Sequence, residues 1–208
     1  MVPLLSTAYL PPILYVAACV KSGEIVIEKH EHFIKQTQRN RALIYGANGV
    51  LPLIIPVQHT NLSTIPLHEV KIAYDSDWQK IHWRSMVSAY RNSSFFDYYE
   101  DDFGALYHRH CLTLFEFNLE LLNILFRLLR ADVIVSFTSS YQKDVPALND
   151  VRSEFHFDHP VLQQPKTPEI SYRQVFSSKY GFIHNLSVVD LLFNEGPKSM
   201  HFLRLIAQ

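Results

Sequence analysis

The stretch EIVIEKHEHFIKQTQRNR, from Glu24 to Arg41, gathers the residue types most able to do chemistry. In an extended chain, alternation places Glu28, His30 and His32 on one side and Ile25, Ile27 and Phe33 on the other. A carboxylate beside two imidazoles offers a general base near neutral pH with a group to orient it, which makes His30 and His32 the candidate catalytic residues. The same three side chains could instead ligate a divalent cation, or simply form a solvated strand end. Lys35, Gln36, Arg39, Asn40 and Arg41 follow directly, and arginine forks match phosphate and carboxylate oxygens in pairs. A solvated basic loop has the same composition. Because the block continues the polar side that carries the histidines, it is expected to bind an anionic small molecule or sugar donor.

A second cluster, YHRHC from Tyr107 to Cys111, resembles a metal or thiol motif. On a helix, residues two apart point in nearly opposite directions, so His108 and His110 cannot share a ligand. His108 and Cys111 are three apart and could form a thiol-imidazole pair, although a packed thiol is the simpler expectation. Phe95, Phe96, Tyr98 and Tyr99 are either stacking platforms or core. The chain has no glycine-rich phosphate loop, G-x-S-x-G elbow, H-E-x-x-H or C-x-x-C motif. With only 6 glycines, side chains rather than backbone must hold any phosphate, and no metal or cofactor is expected.

Charge narrows the partners further. Lys and Arg number 19 against 20 Asp and Glu, so no global field draws the chain to nucleic acid, and recognition of an anion must be local. Hydrophobic residues make up 48% and aromatics 13%, enough for the core of a single domain spanning 1–208. Cys19 and Cys111 lie in apolar segments and are expected to be buried and reduced, consistent with a cytoplasmic protein. The apolar N-terminus lacks a basic flank and is broken by Pro11 and Pro12. It is expected to enter the core rather than act as a signal or insert in a membrane.

The elements that must position these groups begin with a strand at Leu4-Leu5, a helix from Ile13 to Val20 that stops at Ser22-Gly23, and a strand over Glu24 to Ile27. Together they make a parallel βαβ unit. Ala42 to Tyr45 and Val50 to Val57 flank a turn at Ala47-Asn48-Gly49 and predict a hairpin, with Pro52 and Pro56 confining its second strand to an edge. Helices are expected after a capping box at Ser76 and Gln79, over Phe95 to His110, and over Leu112 to Arg130. A strand at Asp132 to Ser136 precedes a long loop or insert at 142–170. A last helix is capped by Asn185 or Ser187 and ended by Gly196-Pro197. The fold class is α/β: a small mixed sheet with a β-hairpin, packed against a helical C-terminal part.

Four segments, AYLPPILY, EKHEHFIKQTQRNRALIYGANGVLPLIIPV, WQKIHWRSMVSAYRNSSFFDYYEDD and HNLSVVDLLFNEGP, resemble the WbqC-like family in its short, Bacteroidetes-type form. The family's Y-x-P-P-x-x-Y opening falls on Tyr9, Pro11, Pro12 and Tyr15. Its polar block falls on His30, His32, Lys35, Gln36, Asn40 and Arg41, and its C-terminal signature on Asn185, Ser187 and Asp190. The resemblance adds Tyr9, Asn185 and Asp190 to the expected substrate-binding residues. It implies a role in bacterial surface-polysaccharide (O-antigen-like) biosynthesis. The matching chemistry is a transferase moving an acyl or aminoacyl group to an amino sugar; the alternative is a non-catalytic protein that binds or assembles glycan precursors.

Overall fold

The computed structural model describes residues 1–58, 64–155 and 170–207. Strand β1 (Pro3–Ser6), helix α1 (Ile13–Ser22) and strand β2 (Glu24–Glu28) form the expected unit, with β1 and β2 parallel and Leu5 opposite Ile27. Pro12 stands at the N-cap of α1, where its missing N–H costs nothing. Gly23 ends the helix in the left-handed region at φ 68°, its N–H reaching the Cys19 carbonyl.

Strand β3 (Arg41–Gly46) and strand β4 (Gly49–Ile54) form the hairpin, with Gly46 opposite Gly49. It stands apart as its own two-stranded sheet. The outer edge of β3 is already occupied: the Tyr45 N–H donates to the Tyr90 hydroxyl at 3.1 Å, and the Leu43 carbonyl accepts from the Ser187 N–H at 2.8 Å. Strand β5 (Ile134–Phe137) and the short β6 (Asn149–Asp150) complete a parallel sheet in the order β5-β2-β1-β6. Strand β6 falls inside the expected loop at 142–170, whose residues 156–169 lie outside the described part of the chain.

Helices α2 (Trp78–Tyr90), α3 (Phe96–Tyr107) and α4 (Leu114–Leu129) pack beside the hairpin and sheet. The box expected at Ser76 and Gln79 does not form. Asp77 occupies the N-cap without a side-chain bond, and the Gln79 amide donates instead to the Arg109 carbonyl at 2.6 Å. The cap of α4 is Thr113: its hydroxyl accepts from the Glu116 N–H while the Glu116 carboxylate accepts from the Leu112 N–H. Helix α3 ends at Tyr107, so His108 to Cys111 form a connection rather than a helical face. Short helix α5 (Ser177–Tyr180) precedes α6 (Val188–Glu195), capped by Ser187. Beyond Gly196 lies a further helix, α7 (Ser199–Ile206), which the sequence reading ended too early to include.

The core joins β1, β2, α1, α4 and α6 through residues such as Leu5, Val16, Ile27, Leu121, Leu125 and Leu192. Both cysteines are buried and free. Of the aromatic cluster on α3, Phe96 is buried and Tyr98 is exposed, which leaves no continuous platform. No helix of the described residues is long and apolar enough to cross a membrane.

Candidate functional site

The chain leaves β1 to one side, through β2 to β5, and returns on the other side as β6. In parallel α/β sheets such a reversal opens a crevice at the carboxyl ends of the two strands, where ligands bind. Here those ends are Ser6 and Asp150. The polar block lies at the same end, because β2 stops at Glu28 and the residues after it turn away from the sheet. The alternation expected through Phe33 is therefore lost at its midpoint.

Two ion pairs frame the crevice. The Arg39 guanidinium is only 1% exposed and grips Glu31 with both prongs, Nε to Oε1 at 3.0 Å and Nη2 to Oε2 at 2.7 Å. It also donates to Ser6 Oγ at 2.8 Å and Thr37 Oγ1 at 3.1 Å. Arg152, which no sequence motif singled out, holds Asp150 in the same way at 2.9 and 2.6 Å. It further donates to the Gln142 and Lys143 carbonyls and approaches Glu28 at 3.5 Å. The guanidinium beside Asp150 lowers that carboxyl's pKa. A cavity of about 210 Å³ lies between these pairs, lined by Glu31, Ile34, Arg39, Tyr141, Asp150, Arg152 and Ser153.

The frame redistributes the expected roles. Arg39 was expected as an open anion clamp, but its fork is spent on Glu31, Ser6 and Thr37, so it builds the crevice wall instead. Glu28 is fully buried and accepts from the His30 N–H at 2.7 Å and the Thr138 hydroxyl at 2.7 Å. His30 is half-buried with its ring edge-on to His68 at 4.9 Å, whereas His32 is exposed and bridged through its backbone to Pro66. Glu28, His30 and His32 thus do not converge as a metal triad. Lys35 and Gln36 are exposed, Gln36 in the left-handed region at φ 62°.

One property sets this stretch apart. Among the described residues, eight buried side-chain polar atoms lack a hydrogen-bond partner, and five belong to residues 30–41: His30 Nε2, both amide atoms of Gln38, Asn40 Oδ1 and Arg41 Nε. Buried polar atoms are almost always paired, because leaving them unpaired costs about 1–3 kcal/mol each. Five of the eight fall within this one stretch of twelve residues. Gln38 carried no sequence signal; only its burial makes its amide conspicuous.

The remaining expected ligands lie elsewhere. Tyr9 is buried, its hydroxyl 2.9 Å from His82 Nδ1 and 2.6 Å from the Tyr107 hydroxyl. Asn185, at φ 52°, accepts from the Leu14 N–H at 2.9 Å and so caps α1 from across the molecule. Asp190 is fully buried and accepts from the Tyr172 hydroxyl at 2.5 Å and the Gln174 amide at 2.9 Å. Burial raises its pKa, against the donors from Tyr172, Gln174 and Tyr90. These three residues hold the fold rather than the crevice.

The thiol-imidazole pair is not built either. Cys111 is buried, desolvation raises its pKa, and its neighbour is Arg109 Nη2 at 3.9 Å. Cys111, Glu116 and Glu120 are close enough to share an ion. Arg109 pairs with Glu120, however, and Glu116 is engaged in capping α4.

No curated protein and no solved structure matches the chain. The sequence model of the WbqC-like protein family matches residues 7–153, which include β2, the polar block, β5, β6 and Arg152.

Proposed function

Since the chain belongs to the WbqC-like protein family, we propose that it is a transferase of bacterial surface-polysaccharide biosynthesis that binds an anionic donor in the crevice at the carboxyl end of the parallel sheet. The observation that carries this reading is the crevice itself, walled by Glu31, Arg39, Asp150 and Arg152, beside a stretch in which His30, Gln38, Asn40 and Arg41 hold buried, unpartnered polar atoms. Exposed Lys35 and Gln36 follow the lining residue Ile34 in the chain and in this reading supply a cation and an amide, while the Glu31–Arg39 and Asp150–Arg152 pairs hold the walls rigid.

His30 is the base. Its backbone is fixed by Glu28, and its buried Nε2 has no protein partner; in this reading the donor site opens onto that nitrogen, which takes the proton of an acceptor amine. In acyl or aminoacyl transfer to an amino sugar, the amine forms the new bond to the donor carbonyl. The bond to the leaving group breaks, and His30 carries the released proton to the leaving group. His32, exposed at the rim, contacts substrate in this reading.

Native mass spectrometry of the freshly purified protein, with denaturing release, tests the proposal. An anionic sugar or acyl thioester is expected to co-purify, to remain bound to His30→Gln and to be weakened in Lys35→Ala. Release of no small molecule, together with no thermal shift on adding sugar nucleotides or acyl thioesters, would count against a transferase. The saturation of Arg39 and Arg152 by protein acceptors favours a second reading, in which the crevice binds a glycan precursor without reacting. In that case ligand co-purifies but no donor is consumed.

A further inference from the structure

A groove of about 580 Å³ runs between the start of α2 and the end of α3, lined by residues that include Tyr74, Lys80, Trp83, Arg84, Tyr107 and His110. It shares no lining residue with the crevice. We propose that it is a second binding site, taking a pyranose that carries an anionic group.

The walls are aromatic and fixed. The Trp83 indole stacks on Tyr107 at 5.8 Å and 24°. It also lies against α3 where that helix has Gly104, whose added Cβ would sit 3.3 Å from the ring. Tyr74 stacks on His110 at 4.2 Å and 12°. The Tyr74 hydroxyl both donates to the Cys111 carbonyl and accepts from the Cys111 N–H, so the ring cannot turn aside. Tyr107 is buried and backs the wall, while Tyr74, Trp83 and His110 are partly or fully exposed and suit the apolar face of a sugar.

Cations complete the chemistry. Lys80 and Arg84 are one helical turn apart, on either side of Trp83 in the sequence, and both are exposed. Neither makes a hydrogen bond or ion pair through its side chain with a described residue. Arg91, Arg109 and Arg127 each pair with a carboxylate, whereas Arg130, Arg173 and Arg204 are exposed and, like Lys80 and Arg84, form no ion pair among the described residues; what sets Lys80 and Arg84 apart is that they line the groove together. Asp77 also lines the groove but forms no ion pair with Lys80. A phosphate or carboxylate between Lys80 and Arg84 would gain both charges, and the arginine adds a fork.

The chain has only 2 tryptophans, and one of them, Trp83, lines the groove, so intrinsic fluorescence includes a reporter at the site. Titration with glucose 6-phosphate or glucuronate is expected to change the emission saturably below about 10 mM. Glucose is expected to bind at least about tenfold more weakly, and the double variant Lys80→Ala/Arg84→Ala to lose at least about tenfold in affinity at unchanged melting temperature. The two sugars separate the sources of the charge: preference for glucose 6-phosphate indicates a phosphosugar and preference for glucuronate a uronic acid. No saturable change with either, equal affinity for glucose, or an unaltered double variant would overturn the proposal. Inorganic phosphate binding as tightly as the sugars would reduce the site to an adventitious ion only. None of these readouts depends on His30 or the crevice.

Discussion

Arg39 and Lys35 differ by four positions and by one partner. Arg39 is buried against Glu31, so removing its guanidinium strands a buried carboxylate, whereas Lys35 is exposed and its removal strands nothing. Arg39→Ala is expected to cost about 3–5 kcal/mol of stability. Arg39→Lys should recover only part of that loss, because an ammonium cannot make the fork. Lys35→Ala should stay within about 0.5 kcal/mol of the parent. Urea unfolding of the three variants separates wall from mouth, and an Arg39→Ala protein of parental stability would return that arginine to the ligand. The sequence did not distinguish these cations, since burial depends on Glu31 and on β2 stopping at Glu28. Period-two alternation carried the extended reading past that point to Phe33. The local concentration of polar groups, by contrast, was plain in composition, and His30, Asn40 and Arg41 do carry unpartnered buried atoms.

At the scale of elements, two segments that read as ligand motifs are bonded to one another. The Ile13 N–H donates to the Leu186 carbonyl and the Val188 N–H to the Pro11 carbonyl, Pro12 bridges Ser187, and Asn185 caps α1 through Leu14. Pro12 at the N-cap has no side-chain acceptor for the first turn of α1, so the C-terminal segment supplies the acceptors for the Ile13 and Leu14 N–H groups. Asn185→Ala removes the cap and places a Cβ-bearing residue without a local side-chain bond at positive φ, for an expected loss of about 1–2 kcal/mol. Asn185→Gly removes the cap but tolerates the backbone, and should lose less. Thermal unfolding in which the alanine variant is no worse than the glycine would rule out strain at this position. Elements with local signatures, such as β1, α1, β2 and the hairpin, could be read from the sequence. This junction could not, because its halves lie more than 170 residues apart, and α7 follows a glycine-proline pair that looked like an end.

At the scale of the whole molecule, one hydrogen-bonded chain ties the layers together. Tyr107 at the end of α3 meets Tyr9 beyond β1, Tyr9 meets His82 Nδ1 on α2, and His82 bonds the Ile54 carbonyl of the hairpin. A neutral imidazole with its proton on Nε2 satisfies both neighbours, donating to Ile54 and accepting from Tyr9. Burial accordingly lowers the His82 pKa to about 4, against an ordinary 6.5. Above pH 6.5 neither folded nor unfolded chain protonates this ring, and its full contribution to stability is present. Between pH 6.5 and 4 the unfolded chain takes up a proton that the folded one refuses, so stability falls, by about 3 kcal/mol over the window. Asp190, whose pKa is raised, acts in the opposite direction as pH falls, and Asp150, whose pKa is lowered, acts in the same direction. The comparison that isolates His82 is therefore with His82→Gln, whose amide can accept from Tyr9 and donate to Ile54 without titrating. Urea unfolding at pH 7, 5.5 and 4.5 should show the parent losing stability more steeply than the variant, with the gap opening below pH 6.5. Parallel pH profiles would mean that the ring takes up its proton equally in the folded and unfolded chain, so that burial between Tyr9 and Ile54 does not hold it neutral.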